Sequence, residues 1–90
     1  MRSRRSTAES LTISSLINTG EDPIVYGITE DMFYSYRAEF NWLASYPKLY
    51  GKKPTPEVLT HKFPDLPYIE GAEDVAYATD ELVQNHTRKL

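Results

Sequence analysis

The stretch ITEDMFYSYRAEFNWLASYPKLYG, residues 28–51, holds most of the aromatic side chains of this 90-residue chain. At about 100° per residue, a single stripe about 80° wide collects the apolar positions Phe33, Tyr36, Phe40 and Leu43. Such a stripe is typical of an amphipathic helix whose apolar face covers a core. The helix is predicted from about residue 33 to Gly51. Pro47 lacks an amide hydrogen, so it is expected to kink or end the helix.

Trp42 falls about 160° from Phe40 on the same helical wheel and therefore faces away from the predicted core. Such a tryptophan either packs under another segment or anchors a protein interface. We predict an exposed interface patch formed by Trp42, Tyr46 and Tyr50. A platform that stacks nucleic-acid bases would need cations among the aromatics, whereas the neighbours here are Glu39, Asn41 and Ser45.

Helix start and stop signals divide the rest of the chain. A first helix is predicted over about residues 7–18, with a capping box formed by Ser6 and Glu9. Thr55, Pro56 and Glu57 begin a short third helix, and a last helix is expected over about residues 73–89. The apolar residues of the connection after the first helix, Ile24, Val25 and Ile28, are expected to tuck under the helices. The predicted fold class is all-α, a small bundle of about four to five helices with short loops.

Charge and composition exclude several functions. The net charge is −3, but five cations lie at the two ends, and residues 6–87 sum to −8. Residues 1–5 are expected to form a basic arm, and residues 6–90 a single helical domain.

The acidic body would repel phosphates, so no DNA contact is expected. No apolar run approaches the roughly 20 residues that span a bilayer, and no secretory signal is evident, so we expect a cytoplasmic protein without membrane contact.

No catalytic motif is present in the sequence. His61 and His86 do not form a metal-binding spacing such as H-E-x-x-H, there is no cysteine, and no glycine-rich phosphate loop occurs. We therefore expect a non-enzymatic module without a metal or cofactor.

The order of short motifs resembles the N-terminal domain of DnaB-type replicative DNA helicases. The opening run of Glu9, Leu11, Ile13, Leu16 and Ile17 is similar to that family's first helix, and residues 28–34 resemble its connection into the next helix. Arg37 and Phe40 match the arginine and phenylalanine of the family's His-Arg-x-Ile-Phe run. The positions that carry the pattern or its core are Glu9, Ile13, Leu16, Ile17, Phe33, Arg37, Phe40 and Leu43.

The chain departs from the family at Ser14, where the family has glycine, at Tyr36 and at Glu39. Its short loop before the last helix resembles bacteriophage-encoded versions. The resemblance implies a domain that self-associates around a hexameric ring and docks primase or a helicase loader. ATP and Mg²⁺ would be expected only in a motor domain, which these residues do not include. Val83 and Leu90 of the last helix are predicted as a second part of the interface.

Two other functions remain open on the sequence. A free-standing phage adaptor or loader-like protein that binds a helicase would share the composition. The last helix is expected to continue past Leu90 in a longer chain, which favours an N-terminal domain. A helix-turn-helix DNA-binding protein would use the third helix as its recognition helix. The long segment after that helix and the acidic surroundings disfavour this alternative.

Overall fold

In the computed structural model, residues 7–88 are described, with side chains described for residues 8–84. They form four α-helices: α1 (Thr7–Thr19), α2 (Arg37–Tyr50), α3 (Pro56–Lys62) and α4 (Val75–Arg88). Two 3-10 turns, Pro23–Tyr26 and Glu30–Met32, lie between α1 and α2. Strands are absent from the described part of the chain. The predicted all-α class is confirmed. The predicted basic arm, residues 1–5, lies outside the described residues.

Helix α1 is the centre of the bundle and is buried on almost every side. Its buried polar residues are Glu9, Ser10, Thr12, Ser14 and Ser15. The sequence predicted apolar residues mostly on one face, and the structure buries the opposite, hydroxyl-bearing face as well. This is possible because Ser and Thr are small and can bond within their own helix. The Thr12 hydroxyl, for example, lies 2.7 Å from the Ala8 carbonyl.

Helix α4 runs antiparallel to α1 along this small-residue face and forms its most extensive helix–helix contact. The Thr12 hydroxyl lies 3.1 Å from the carbonyl of Ala78, a residue with no exposed surface. Further along α1, Asn18 donates to the Ala72 carbonyl, 2.7 Å away, just before α4 begins. Small side chains at both surfaces let the two helices approach closely enough for these bonds.

Helix α2 begins at Arg37, four residues later than predicted. Phe33 has an extended backbone at φ −108° and ψ 133°, yet its side chain is fully buried and stacks on Phe40 with ring centroids 4.5 Å apart. Pro47 is expected from the sequence to kink or end the helix, and it does not end it, because α2 continues to Tyr50. Only one turn follows Pro47, so the helix lacks a single backbone hydrogen bond near its end. Gly51, at φ 74°, closes the helix by donating to the Pro47 carbonyl.

The caps of α3 and α4 follow the local sequence. Thr55 accepts a bond from the amide of Val58 at 3.3 Å, and Asp74 accepts one from the amide of Tyr77 at 3.0 Å. The core between the helices consists of Ile13, Leu16, Ile17, Ile28, Phe33, Phe40, Leu43, Leu59, Leu66, Val75 and Leu82.

The connection from α3 to α4 is fastened to α1 by side chains. The amide of Ile69 donates to the Ser14 hydroxyl at 3.0 Å, and the Tyr68 hydroxyl donates to Asn18. Leu66, in the same connection, is buried in the core. The Ser14 side chain therefore holds this connection against α1.

The first 3-10 turn corrects one sequence expectation. Ile28 is buried as predicted, but Ile24 and Val25 are 80% and 76% exposed. The turn starts at Asp22–Pro23 and is stopped by Gly27 at φ 71°. A turn this short cannot direct every apolar side chain toward the core.

Candidate functional site

A ladder of aromatic rings runs along one side of α2. The Trp42 and Tyr46 ring centroids lie 5.2 Å apart, and those of Tyr46 and Tyr50 lie 4.5 Å apart. Phe63, just after α3, meets Trp42 edge-on at 5.6 Å and 81°. The structure therefore brings together the three residues predicted as a patch, because they are spaced four apart on one helical face.

The ladder is half-buried at one end and exposed at the other. Trp42 and Tyr46 are half-buried, whereas Tyr50 is 62% exposed and its neighbour Leu49 is 72% exposed. The expectation that Trp42 faces away from the core is wrong in part, because Trp42 packs half-buried against the core and meets Phe63 at the end of α3. The wheel of α2 alone carries no information about α3, so sequence reasoning missed this contact.

The second predicted part of the interface is less defined. Val83 lies on α4 and is 39% exposed. Leu90 lies outside the described residues.

The two polar residues of the family-like pattern hold the segment before α2. The Glu9 carboxylate is 2% exposed and accepts backbone amides of Tyr34, Ser35 and Tyr36 at 2.8, 3.0 and 2.8 Å. Ser6, its predicted capping partner, lies outside the described residues. Arg37 is exposed, and its Nε donates to the Phe33 carbonyl at 3.3 Å. The apolar members of the pattern are all buried: Ile13, Leu16, Ile17, Phe33, Phe40 and Leu43.

Sequence reasoning missed an open apolar groove of about 360 Å³ on the other side of α2. Its floor is formed by core side chains: Leu16, Ile17, Ile28, Phe40 and Leu43. One wall comes from residues 20–24, and another from Ala44, Pro47 and Lys48. Two aliphatic residues between the turn signals of Asp22–Pro23 and Gly27 are the sequence feature that could have indicated an exposed edge here.

Tyr26 reinforces the wall that residues 20–24 form. Its hydroxyl donates to the Glu21 carboxylate, and this hydrogen bond is the main cause that raises the pKa of Tyr26 above its ordinary value of 10.0. Slight desolvation and the charges of Glu21 and Asp74 act in the same direction.

Clusters of metal-ligating side chains and membrane-spanning helices are both absent from the described residues. Among them, no group of three or more His, Asp or Glu side chains could hold a metal ion. His61 is exposed on α3, and the side chain of His86 lies outside the described part. Within residues 7–88, no helix is both long and apolar enough to cross a bilayer.

Comparisons with known proteins give no relative for this chain: no family model, no curated protein and no solved structure matches it.

Proposed function

We propose that this chain is a non-catalytic N-terminal domain of a hexameric replicative DNA helicase, which self-associates and docks a primase or a helicase loader. The order of family-like motifs along nearly the whole chain supports the helicase assignment. The observation that carries an interaction role is the aromatic ladder of Trp42, Tyr46 and Tyr50, which ends in solvent beside Leu49.

This ladder suits a docking surface for two reasons. Tyrosine and tryptophan supply a large contact area at a small cost in side-chain entropy, and they are enriched among residues that dominate binding energy. Contacts with Phe63 and along α2 already fix the rings, so little further ordering is required on binding.

The mechanism is geometric. A rigid helical block presents its exposed apolar and aromatic surface to neighbours, which assembles the motors as a ring and keeps primase near the emerging strand. The negative charge of residues 6–87 favours protein partners over the DNA backbone.

The test is light scattering on the purified chain over a range of concentrations, alone and with the cognate primase. The informative variant is Tyr50→Ser. The matched control is Tyr77→Ser, because Tyr77 is 55% exposed but lies on α4, about 120° around that helix from Val83. We expect Tyr50→Ser to weaken primase binding by about ten-fold or more, as loss of an interface anchor does, and the control to leave it unchanged.

Equal affinities for the two variants would refute the ladder as the docking surface. Absence of both self-association and primase binding would refute the proposed function. Binding of a separate intact helicase ring, without self-association, would instead support an adaptor.

A further inference from the structure

The first 3-10 turn forms a rigid aliphatic projection. The Asp22 carboxylate accepts the amide of Ile24 at 3.0 Å, the Gly27 amide donates to the Ile24 carbonyl at 3.0 Å, and the Ile28 amide donates to the Pro23 carbonyl at 3.1 Å. These bonds hold Ile24 and Val25 in water at 80% and 76% exposure. A surface that is ordered before binding loses little entropy when it meets a partner.

The groove beside this projection has the complementary shape. Its floor is apolar, its volume is about 360 Å³, and Ile24 itself forms part of its edge. Apolar surface therefore continues from the floor of the groove over its edge to Ile24. A small enclosed ligand would not cover this whole surface. This continuity favours a protein surface as the occupant.

Charges of opposite sign flank the projection and the groove. Glu21 and Asp22 precede the projecting Ile24, whereas Lys48 lines the groove from α2. Lys53 lines it too, and its ammonium group donates to the Gly20 carbonyl at the end of α1. The projection is thus acidic at its base, and the α2 wall of the groove is basic.

We propose that a second copy of this chain occupies the groove in a two-fold exchange, an inference that rests on the proposed self-association and names its surface. In such an interface the same patch serves both copies, so each patch must carry both complementary parts. Ile24 of each copy enters the groove of the other, and Glu21 of each copy faces Lys48 of the other.

The contact is small, so its affinity in the isolated chain is low. Interfaces at the low end of buried area are transient. Copies tethered side by side in a ring experience a high effective concentration, at which such a contact forms.

The test is sedimentation velocity from about 10 μM to about 1 mM, a range that covers weak interfaces. We expect concentration-dependent dimers for the unmodified chain and at least ten-fold weaker association for Ile24→Asp. Because Ile24 is 80% exposed, this variant keeps its fold, which far-UV circular dichroism checks. Tyr77→Ser is the control and associates like the unmodified chain.

A charge exchange tests the two-fold geometry directly. Glu21→Lys and Lys48→Glu should each weaken self-association by about five-fold, because each loses two symmetry-related exposed ion pairs. An equimolar mixture of the two variants should recover the affinity as a heterodimer, since opposite charges then face each other at both contacts.

Three results would overturn the inference: a monomer at every concentration, Ile24→Asp that dimerises normally, or a mixture without recovery. If Tyr50→Ser weakens self-association and Ile24→Asp does not, the groove is the wrong surface and the proposed function survives. If Ile24→Asp abolishes primase binding by a monomeric chain, the occupant is a different protein.

Discussion

Replacing Glu9 by glutamine should remove a large part of the stability of this domain. The carboxylate accepts three backbone amides at 2.8, 3.0 and 2.8 Å, and the residue is 2% exposed. Hydrogen bonds to a charged acceptor each contribute about 1.5–3 kcal/mol. Glutamine keeps one carbonyl oxygen and places an NH₂ group against the remaining amides.

We therefore expect Glu9→Gln to lower the free energy of unfolding by about 2–4 kcal/mol, because one or two bonds are lost and a partly buried amide is left unpaired. A chain of this length has a total of about 5–9 kcal/mol, so the variant should still fold.

The assay is urea denaturation followed by far-UV circular dichroism at neutral pH, with Glu70→Gln as the control because Glu70 is exposed. The control should lie within about 0.5 kcal/mol of the unmodified chain. Hydrogen exchange supplies a local measurement: the amides of residues 34–36 should exchange faster in Glu9→Gln by more than the global change accounts for. A loss below about 0.5 kcal/mol, with unchanged exchange at residues 34–36, would refute the argument.

Three further outcomes follow from the packing and the charges. Asn18→Ala should lower the free energy of unfolding by about 2–3 kcal/mol, because the side chain bonds two carbonyls and a hydroxyl of the connection before α4; urea denaturation measures it. Phe63→Ala should shift the emission of Trp42 to longer wavelength, since it uncovers the indole, and an unchanged spectrum would contradict the packing. In an ultraviolet titration, Tyr26 should ionise above pH 10.0, and Glu21→Gln should lower its pKa. The folded-state pKa is raised, so the stability from this bond is complete below the ordinary pKa and is lost as the pH rises through the folded value; a titration that Glu21→Gln leaves unchanged would contradict this cause.

The elements of the fold could be predicted from the sequence because their signals are local. The threonine cap and proline at the start of α3 act within three residues, as the bond from the Val58 amide to Thr55 shows. Gly51 ends α2 for an equally local reason, since only glycine adopts φ 74° without strain. The apolar stripe of residues 33–43 indicated which side chains are buried, whether or not each one lies in a helix.

The candidate surfaces could be predicted only in part. The four-residue spacing of Trp42, Tyr46 and Tyr50 predicts that these residues share one face of the helix. Their exposure could not be read in the same way, because Phe63 belongs to another element. The groove also escaped prediction, since its floor and walls come from segments that are adjacent only in the folded chain.

The sequence by itself determined that this protein is helical, where most helices end, and many of the apolar residues that form the core. Only the tertiary structure decided that α2 begins at Arg37, that Ile24 and Val25 remain in water, and that Trp42 is half-buried. The physical reason is the distance along the chain over which each interaction acts. Capping and helical period act over about four residues, whereas the Glu9 carboxylate that holds the segment before α2 accepts amides 25 to 27 positions away.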